Sequence, residues 1–554
     1  MTKNTLYYGD NLEIIRNYIS NESVDFVYLD PPFKSNQDYN VLFREQDGSR
    51  PAAQIMAFED TWTWDQGSEG AYLDVVENGP VKVSRAMEAL RQILGENDLM
   101  AYLAMMAPRL LELHRVLKET GGICLHCDPV ASHYLKVLMD AIFRPENMRN
   151  EIVWLRTSAK GLMTRRLPSN HDVILSYQKG KGATWNMGAV FNPYDADNLD
   201  EKTRKKYSHR EPDGRVYRLD NLNNPNANRP NLTYEFLGMT KVWRWTRERM
   251  QAAYDAGLVV QTRPGTVPQL KRYLDEQRGK PCGDVWTDIP PLNSQAQERL
   301  GYPTQKPEAL LERIIQLCTN EGDAVLDPFC GCGTSIAVAQ RLNRRWAGID
   351  ITHLAITLLK HRLKDAFGED VKKSYEVKGE PVDLSGAREL AIGRDRYPFQ
   401  WWALGLVGAR PAEADQKKGA DKGIDGHLSF HDDRLGTKSK RVILSVKSGG
   451  LKADDVRSIH SVVERDKAAI GVLIALDEPT GKMKTEAASF GFYNSPGWNT
   501  RHPKIQILTV ADLLNGARID MPPIRQTSTT FKKAPRAKVA EAPQALLPFD
   551  VEEE

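Results

Sequence analysis

The first residues that could do chemistry stand at the end of an apolar run, VDFVYLDPPF, residues 24–33. Val24–Leu29 has the pattern of a strand buried in a sheet. Pro31 and Pro32 cannot donate to a strand ladder, so we expect the strand to stop at Asp30. The prolines would present the Asp30 carboxylate and the Phe33 ring at the carboxyl edge of the sheet, where ligands bind in open α/β folds. A proline-rich turn with a capping acid is the alternative for this short motif alone.

A second group of such residues lies in AVLDPFCGCGTSIAVAQRLNRRWAGIDI, residues 324–351. A strand runs into Asp327, and a loop with Gly331 and Gly333 follows. After an amphipathic helix, a second strand ends at Asp350. This is the order of a nucleotide-binding β-α-β unit, in which glycines let the backbone approach a ligand and the later acid accepts hydrogen bonds from ribose hydroxyls. The acid before the loop suits a cationic amino-acid group better than a pyrophosphate, which indicates S-adenosylmethionine.

The two motifs together resemble those of the DNA amino-methyltransferases, which methylate adenine N6 or cytosine N4. The catalytic motif precedes the cofactor motif, as in the beta-type arrangement of that family. The resemblance covers about residues 1–380 and extends to four further segments, which are YYGDNLEII (7–15), GGICLHCDP (121–129), RLPSNHDVILSYQKG (166–180) and GYPTQKPEALLERII (301–315).

The resemblance implies roles for single residues. In the catalytic motif, Asp30–Phe33 with Pro31 and Pro32, the Asp30 carboxylate and the Pro31 carbonyl would accept hydrogen bonds from the exocyclic amino group. Phe33 would stack on the base, which must leave the helix to react. Catalysis would be positioning for in-line attack on the methyl group, without a covalent enzyme intermediate. The residues it implies for the cofactor are Asp10, Thr304, Lys306, Asp327, Phe329, Gly331, Gly333, Thr334 and Asp350. We expect adenine N6 over cytosine N4, because cytosine members mostly carry Ser in place of Asp30.

Residues 195–300 interrupt the α/β pattern and are polar, basic and rich in Asn, Pro and Gly. The segment KVWRWTRERM, residues 241–250, places two tryptophans among Lys and Arg side chains. Bases with interleaved aromatic residues suit phosphate contacts and base stacking, although any one of them could belong to a surface loop or a small aromatic core. We therefore expect the target-recognition region here.

A new composition begins near residue 385. Strands, a helix and a further strand follow in the order of the PD-(D/E)xK nuclease fold, which this segment resembles. Asp425 and Lys447 match the metal-binding acid and the catalytic lysine, whereas Ser445 stands where that family usually has an acid or Gln. Glu464 on the next helix is the candidate for the second carboxylate, so that Asp425 and Glu464 would hold Mg²⁺. An active nuclease and an inert DNA-binding fold both remain open.

The last residues, 522–554, are rich in Pro, Lys and Ala, and their composition predicts a disordered tail. Within them QALLPF, Gln544–Phe549, resembles the short peptide with which bacterial proteins dock on the replication sliding clamp. The alternative is that these apolar residues pack on the preceding domain or belong to the tail alone.

Composition limits the classes of protein that fit. A chain of 554 residues needs two or three domains, and 41% hydrophobic and 27% charged residues are ordinary for a globular protein. Six cysteines fit a reducing cytoplasm, and Cys124 and Cys127 lack the second ligand pair that a structural zinc site needs. No run of residues predicts a membrane span or a signal peptide. With a net charge of only +2, binding of DNA must come from local basic patches.

We therefore expect an α/β protein. A Rossmann-like, S-adenosylmethionine-dependent methyltransferase domain would occupy 1–384, and a restriction-endonuclease-like α/β domain 385–521. Its partner would be double-stranded DNA, with methylation in the cytoplasm at the nucleoid. A homodimer and a solitary chain are both compatible with the sequence.

Overall fold

The computed structural model describes residues 3–32, 64–157, 167–192, 194, 199–226, 228–277, 279–293, 295–302, 304–392, 397–412, 423–432, 439–522 and 533–537. The chain divides into two compact units. One contains Met1–Asn186 with Asp284–Glu554, and the other is the inserted stretch Met187–Gly283. None of the described helices is long and apolar enough to cross a membrane.

The larger unit begins with a sheet covered by helices. Its first elements are β1 (Asn4–Tyr8), α1 (Asn11–Tyr18), β2 (Val24–Leu29), α2 (Gln66–Asn78), α3 (Val81–Leu94), α4 (Asp98–Val116), β3 (Leu117–Cys127), α5 (Pro129–Phe143), β4 (Met148–Leu155) and β5 (His171–Gln178). The strand predicted over Val24–Leu29 is therefore confirmed with its predicted end.

The inserted unit is built from short strands. It contains β6 (Phe191–Asn192), α6 (Glu201–Lys206), β7 (His209–Arg210), β8 (Val216–Asn221), β9 (Thr233–Phe236), β10 (Met239–Val242), α7 (Arg247–Asp255), β11 (Val259–Val260), β12 (Gln269–Tyr273) and β13 (Lys280–Pro281). Trp243 is fully buried and donates from Nε1 to the Tyr234 carbonyl at 2.9 Å, so it belongs to the core of this unit.

The chain then returns to the first sheet. The elements are β14 (Val285–Trp286), α8 (Glu308–Cys318), β15 (Ala324–Asp327), α9 (Thr334–Arg341), β16 (Arg345–Asp350), α10 (His353–Phe367) and β17 (Tyr375–Lys378). The nine strands lie in the order β14-β4-β5-β3-β2-β15-β16-β1-β17. β3, β2, β15, β16 and β1 are parallel neighbours, whereas β5 runs antiparallel to β3 and β4. The five central parallel strands thus bring their carboxyl ends to one edge.

A second, five-stranded sheet follows. Its domain comprises α11 (Leu384–Ile392), α12 (Tyr397–Leu406), β18 (Arg410–Pro411), β19 (Gly426–His431), β20 (Ser439–Lys447), α13 (Ala453–Arg465), β21 (Ile470–Ala475), α14 (Gly481–Ser489), β22 (Phe492–Ser495), β23 (Thr500–Pro503), β24 (Ile505–Thr509) and α15 (Val510–Leu514). The strand order is β18-β19-β20-β21-β24, with β19 antiparallel to β20 and the last three strands parallel.

Part of the segment predicted to be disordered is ordered against the C-terminal end of α10. In residues 533–537 the Ala534 amide donates to the Asp365 carboxylate at 3.2 Å, and the Ala537 amide donates to the Ala366 carbonyl at 3.0 Å. Ala534 is buried there. The C-terminal end of α10, whose last carbonyls need partners, accounts for this docking, which composition alone did not indicate.

Candidate active site and comparisons with known proteins

Five adjacent parallel strands each end on, or are followed closely by, an aspartate. Across the sheet from β3 to β1 these residues are Asp128, Asp30, Asp327, Asp350 and Asp10. Because the strands are parallel, all five lie at the same carboxyl edge, which is where open α/β sheets bind ligands. The two motifs that lie almost 300 residues apart in the sequence are therefore neighbours in the fold.

Asp30 stands at the end of β2, between the strand that carries Asp128 and the strand that carries Asp327. Its carboxylate accepts a hydrogen bond from the Lys306 ammonium, and both side chains are largely buried. The sequence placed Lys306 among the residues of the cofactor pocket, and the structure brings its ammonium to the catalytic motif. Pro31 is buried and Pro32 is exposed. Phe33 lies outside the described residues.

The loop after β15 is held by hydrogen bonds to Asp327. Asp327 Oδ1 accepts from the Phe329 amide at 3.0 Å, and Asp327 Oδ2 accepts from the Ser335 hydroxyl. Burial raises the pKa of Asp327 to about 7, although both hydrogen bonds act in the opposite direction. A carboxyl group this far out of water stabilises a nearby cationic group when it ionises.

Two glycines give this loop its shape. Gly331 and Gly333 have positive φ angles of 48° and 74°. A Cβ on Gly331 would approach Tyr302 Cε1 at 3.0 Å, and a Cβ on Gly333 would lie 2.5 Å from Leu359 Cγ. Both positions therefore require glycine.

Asp350 and Asp10 tie the neighbouring strand ends to this loop. Asp350 accepts from the Gly331 amide at 2.9 Å and from the Thr352 amide and hydroxyl at 2.8 Å, and burial raises its pKa. Asp10 caps α1 and pairs with Arg109 at 2.8 Å. Arg109 also donates to Asn11, whose side-chain amide donates to the Pro328 carbonyl at 2.8 Å. Sequence reasoning missed Arg109, which is buried in a helix whose other buried residues are apolar.

The segment before α8 touches both motifs, since Tyr302 approaches Gly331 while Lys306 reaches Asp30. Thr304, two residues from each, lies between them in the chain and is partly buried. Thr334 is less accessible to a ligand than its motif suggests. Its hydroxyl accepts from Arg362 at 3.0 Å, and Arg362 pairs with Glu308 at 2.7 Å.

A buried polar chain crosses the sheet one level below Asp30. The Tyr28 hydroxyl contacts His126 Nδ1 at 3.0 Å, and His126 Nε2 contacts Asp172 Oδ2 at 3.1 Å. Arg156 Nε lies 3.2 Å from Asp172 Oδ1. Although burial alone would raise the pKa of Asp172, these cationic and donor partners hold it below its ordinary value. The sequence signal for this set of hydrogen-bonded side chains was a His and an Asp within predicted core strands, where apolar residues were expected.

Of the nuclease candidates, Asp425 and Ser445 contact each other in the second sheet, and Lys447 pairs with a different acid. Asp425 Oδ2 accepts from the Ser445 hydroxyl at 2.9 Å and from the Val446 amide at 2.6 Å. Lys447 pairs with Asp455, in the first turn of α13, at 3.1 Å. Asp425 is thus engaged by donors of its own domain.

Glu464 lies elsewhere on the same helix. It pairs with Lys504 and with His460, and it stands nine residues, about 13 Å, beyond Asp455 along α13. The described part of the chain contains no group of three His, Cys, Asp or Glu side chains that could hold a metal ion. Asp425 and Glu464 as found here do not fit the proposed Mg²⁺ site. All six cysteines are buried free thiols.

Two known proteins and one solved structure are similar to this chain. Type II methyltransferase M.EcaI of Enterobacter cloacae is 26% identical over 402 residues, covering 71% of this chain and 77% of that protein. DNA adenine methyltransferase YhdJ of Escherichia coli (strain K12) is 43% identical over 96 residues, covering 17% of this chain and 32% of that protein. The crystal structure of a putative DNA modification methylase from Thermus thermophilus, complexed with S-adenosyl-L-methionine, aligns over 68% of this chain and 100% of that one, with 16% identity and a TM-score of 0.32.

Two families match separate parts of the chain. Residues 409–515 match the family described as NACHT-associated inactive Restriction Endonuclease 1. Residues 24–361, more than half of the chain, match the family described as DNA methylase, of the N6/N4 type. This second match includes Asp30, the glycine loop and Asp350, and it ends within α10. The chain belongs to the N6/N4 DNA methylase family.

Proposed function

We propose that this DNA methyltransferase transfers a methyl group from S-adenosylmethionine to adenine N6 in double-stranded DNA. The observation that carries the proposal is the position of Asp30, on the strand next to the glycine loop that lies between Asp327 and Asp350. A methyl donor on that loop and an amino group at Asp30 would be neighbours. The enzyme would act in the cytoplasm, at the nucleoid.

The residues present fit the cofactor. The left-handed Gly331 and Gly333 would let the loop backbone approach the ligand, Asp327 would face the ammonium of the methionine part, and Asp350 and Asp10 would contact the ribose and the adenine. When bound, S-adenosylmethionine supplies an electrophilic methyl group on a sulfonium. Asp30 and the Pro31 carbonyl would accept hydrogen bonds from the two N–H groups of the target amino group. These hydrogen bonds would direct the nitrogen lone pair toward the methyl group. Lys306 would hold the Asp30 carboxylate in place.

Adenine is the proposed target because Asp30 stands where cytosine members mostly carry Ser. The identity to an adenine methyltransferase of Escherichia coli over 96 residues supports the same choice. The base would have to leave the duplex, since its amino group is not accessible in the stack.

The experiment is expression of the full chain in a host without methylation of its own, followed by nucleoside mass spectrometry and single-molecule mapping of the modified sites. We expect N6-methyladenine at one sequence. N4-methylcytosine in its place would overturn the choice of base. Asp30→Ala should abolish methyl transfer with nearly unchanged cofactor affinity, whereas Asp327→Ala should weaken cofactor binding. Equal loss of cofactor affinity in both variants would contradict the separate roles.

We propose that residues 195–300, most of which fall in the inserted unit Met187–Gly283, form the target-recognition region. Arg247 lies over the Tyr234 ring at 5.0 Å and Arg249 over the Trp245 ring at 4.6 Å, which are arrangements suited to phosphate and base contacts. Trp243 is excluded from this role by its burial. Arg247→Ala should weaken DNA binding and reduce its dependence on salt, while the core variant Trp243→Phe should change stability more than the salt dependence.

For the C-terminal domain we propose DNA binding without cleavage. The engagement of Asp425 by Ser445 and Val446, and of Glu464 by Lys504, supports this assignment. The matched family carries the word inactive in its description. The alternative, a single-chain modification–restriction enzyme, has in its favour that Asp425 contacts Ser445 on the strand that ends at Lys447.

The two alternatives separate in one assay. Unmethylated plasmid is incubated with the full chain and Mg²⁺, with and without S-adenosylmethionine, and Lys447→Ala is the matched control. We expect intact plasmid in every lane. Cleavage by the wild-type chain that Lys447→Ala abolishes would establish the nuclease instead.

A further inference from the structure

Asp128 stands beside the catalytic motif at the carboxyl edge of the sheet. β2 and β3 are parallel, with Leu29 opposite Leu125, so continuing the register by three residues places Pro32 opposite Asp128. Tyr28 and His126 contact each other on one face of the sheet. Alternation of side chains carries Asp30 and Asp128, each two residues further on, to that same face.

The two carboxylates also lie near a common residue on α4. Burial raises the pKa of the Tyr102 hydroxyl well above its ordinary value, and the nearby carboxylates of Asp128 and Asp30 raise it further. Because β2 separates β3 from β15, Asp128 lies on the side of Asp30 that is remote from the glycine loop. This is the side on which the ring of a target base would extend.

One oxygen of Asp128 has a structural role and the other does not. Oδ1 accepts from the Val130 and Ala131 amides at 3.1 and 2.9 Å and so caps α5. Oδ2 is buried in a residue that is 2% exposed, and it makes no hydrogen bond within the described part of the chain. A buried carboxyl oxygen without a partner is costly, which indicates a partner that arrives with the substrate.

The chemistry of the base decides what that partner would be. Once Asp30 and the Pro31 carbonyl accept hydrogen bonds from the two N–H groups of the amino group, the adenine ring presents only acceptors, which are its ring nitrogens. A carboxylate could not bind them, whereas a protonated carboxyl group donates one hydrogen bond. Burial raises the pKa of Asp128, and the nearby Asp172 carboxylate adds to this, while Arg156 and the two capping amides act against it.

We propose that Asp128 is a base-recognition residue, whose carboxyl group donates a hydrogen bond from Oδ2 to a ring nitrogen of the extruded target base. This inference rests on the proposed function, in that it requires a base held at Asp30. It assigns to β3 a part in selecting the substrate.

The test uses the full chain and the duplex site found by mapping, with Asp128→Asn and Asp128→Ser as a matched pair. Asn and Ser both cap helices as Asp does, but only Asn can donate from the position of Oδ2. Single-turnover methyl transfer, kcat/KM for DNA and the Kd of S-adenosylmethionine are measured for each. We expect Asp128→Asn within about threefold of wild type, Asp128→Ser lowered by about ten- to a hundredfold in kcat/KM, and cofactor affinity unchanged.

A second measurement separates base contact from structure. Duplexes with 1-deaza-, 3-deaza- or 7-deazaadenine at the target position lack one ring nitrogen each. We expect that one of the three analogues lowers the rate of methyl transfer by the wild type and by Asp128→Asn. The same analogue should leave the rate of Asp128→Ser equal to its rate on adenine. If Asp128→Ser is as fast as the wild type, or if Asp128→Asn is as slow as Asp128→Ser, the inference is overturned. The proposed function would stand in that case, because the wild-type chain still methylates DNA. A wild-type chain that methylates no DNA would overturn the proposed function as well.

Discussion

The Lys306 ammonium donates to Oδ2 of Asp30, although 276 residues separate the two in the chain. Both side chains are about 15% exposed, so the ion pair is largely removed from water. A cation that donates to the carboxylate from this position fixes its orientation. The segment before α8 therefore serves the catalytic strand as well as the cofactor loop, which Tyr302 of the same segment approaches at Gly331.

Lys306→Met should reduce the rate of methyl transfer while sparing the cofactor. Removing one partner of a buried pair leaves the other charge uncompensated, at a cost of about 1–3 kcal/mol, which corresponds to about ten- to a hundredfold in kcat. Stopped or quenched single-turnover assays measure the rate, and calorimetry measures the Kd of S-adenosylmethionine.

Lys118→Met is the control for Lys306→Met. Lys118 pairs with Asp25, on the same strand β2, at 2.7 Å, but at the opposite end from Asp30. The control should keep kcat within about threefold, because the pair lies at the far end of the strand from the site and Lys118 is partly exposed. Equal losses of kcat in the two variants would show that the ion pair at Asp30 acts on stability alone.

The raised pKa of Asp327 predicts a dependence of stability on pH. The unfolded carboxyl group ionises near 3.8, whereas the folded one retains its proton until about pH 7. The folded state therefore binds more protons between these values, and the contribution of Asp327 to stability is full below about pH 4 and declines as the pH rises to 7. Asp327→Asn should remove this component, which is on the order of a few kcal/mol.

Thermal unfolding of the cofactor-free protein between pH 5 and 8 measures the effect of Asp327→Asn. The unfolding midpoint of the variant should rise relative to that of the wild type as the pH rises. This difference should level off above about pH 7. Parallel curves across this range would mean that Asp327 ionises in the fold as it does in water.

Gly333→Ala should disrupt the start of α9. The new Cβ would combine a left-handed backbone, φ 74°, with an approach of 2.5 Å to Leu359 Cγ. Strain and overpacking together predict a loss of about 2–4 kcal/mol in the free energy of unfolding, with weakened cofactor binding. Gly368→Ala, at φ 89° with no heavy atom near its Cβ, should show the backbone cost alone, about 1 kcal/mol. Indistinguishable midpoints for the two variants would rule out the clash.

The motif Gln544–Phe549 predicts weak docking on the replication sliding clamp. A short peptide that inserts a few apolar side chains must be ordered on binding, so a transient, micromolar contact is expected. Titration of a labelled peptide 540–554 against purified clamp measures it, with Leu547→Ala and Phe549→Ala as controls. Absence of binding at high micromolar concentration, or equal binding by the controls, would leave these residues without that role. The motif lies outside the described residues.

The local motifs of the active site could be predicted from the sequence. A strand that ends on Asp30 before two prolines, and a strand, a glycine loop and a helix between Asp327 and Asp350, are short-range patterns. Backbone geometry within a few residues decides them, because proline cannot continue a ladder and glycine alone adopts the left-handed conformation cheaply. The observed bounds of β2 and β16 agree with those patterns.

Contacts between distant segments were decided by the tertiary structure. The sequence does not show that Lys306 reaches Asp30, that His126 and Asp172 join across two strands, or that Asp365 accepts from the tail. In the second sheet it is Asp455, one turn into α13, that meets Lys447, and Glu464 is carried about 13 Å further along the helix. Spacing along the chain specifies which residues share a helix face or a strand end, whereas strand order and helix packing determine which of these faces meet.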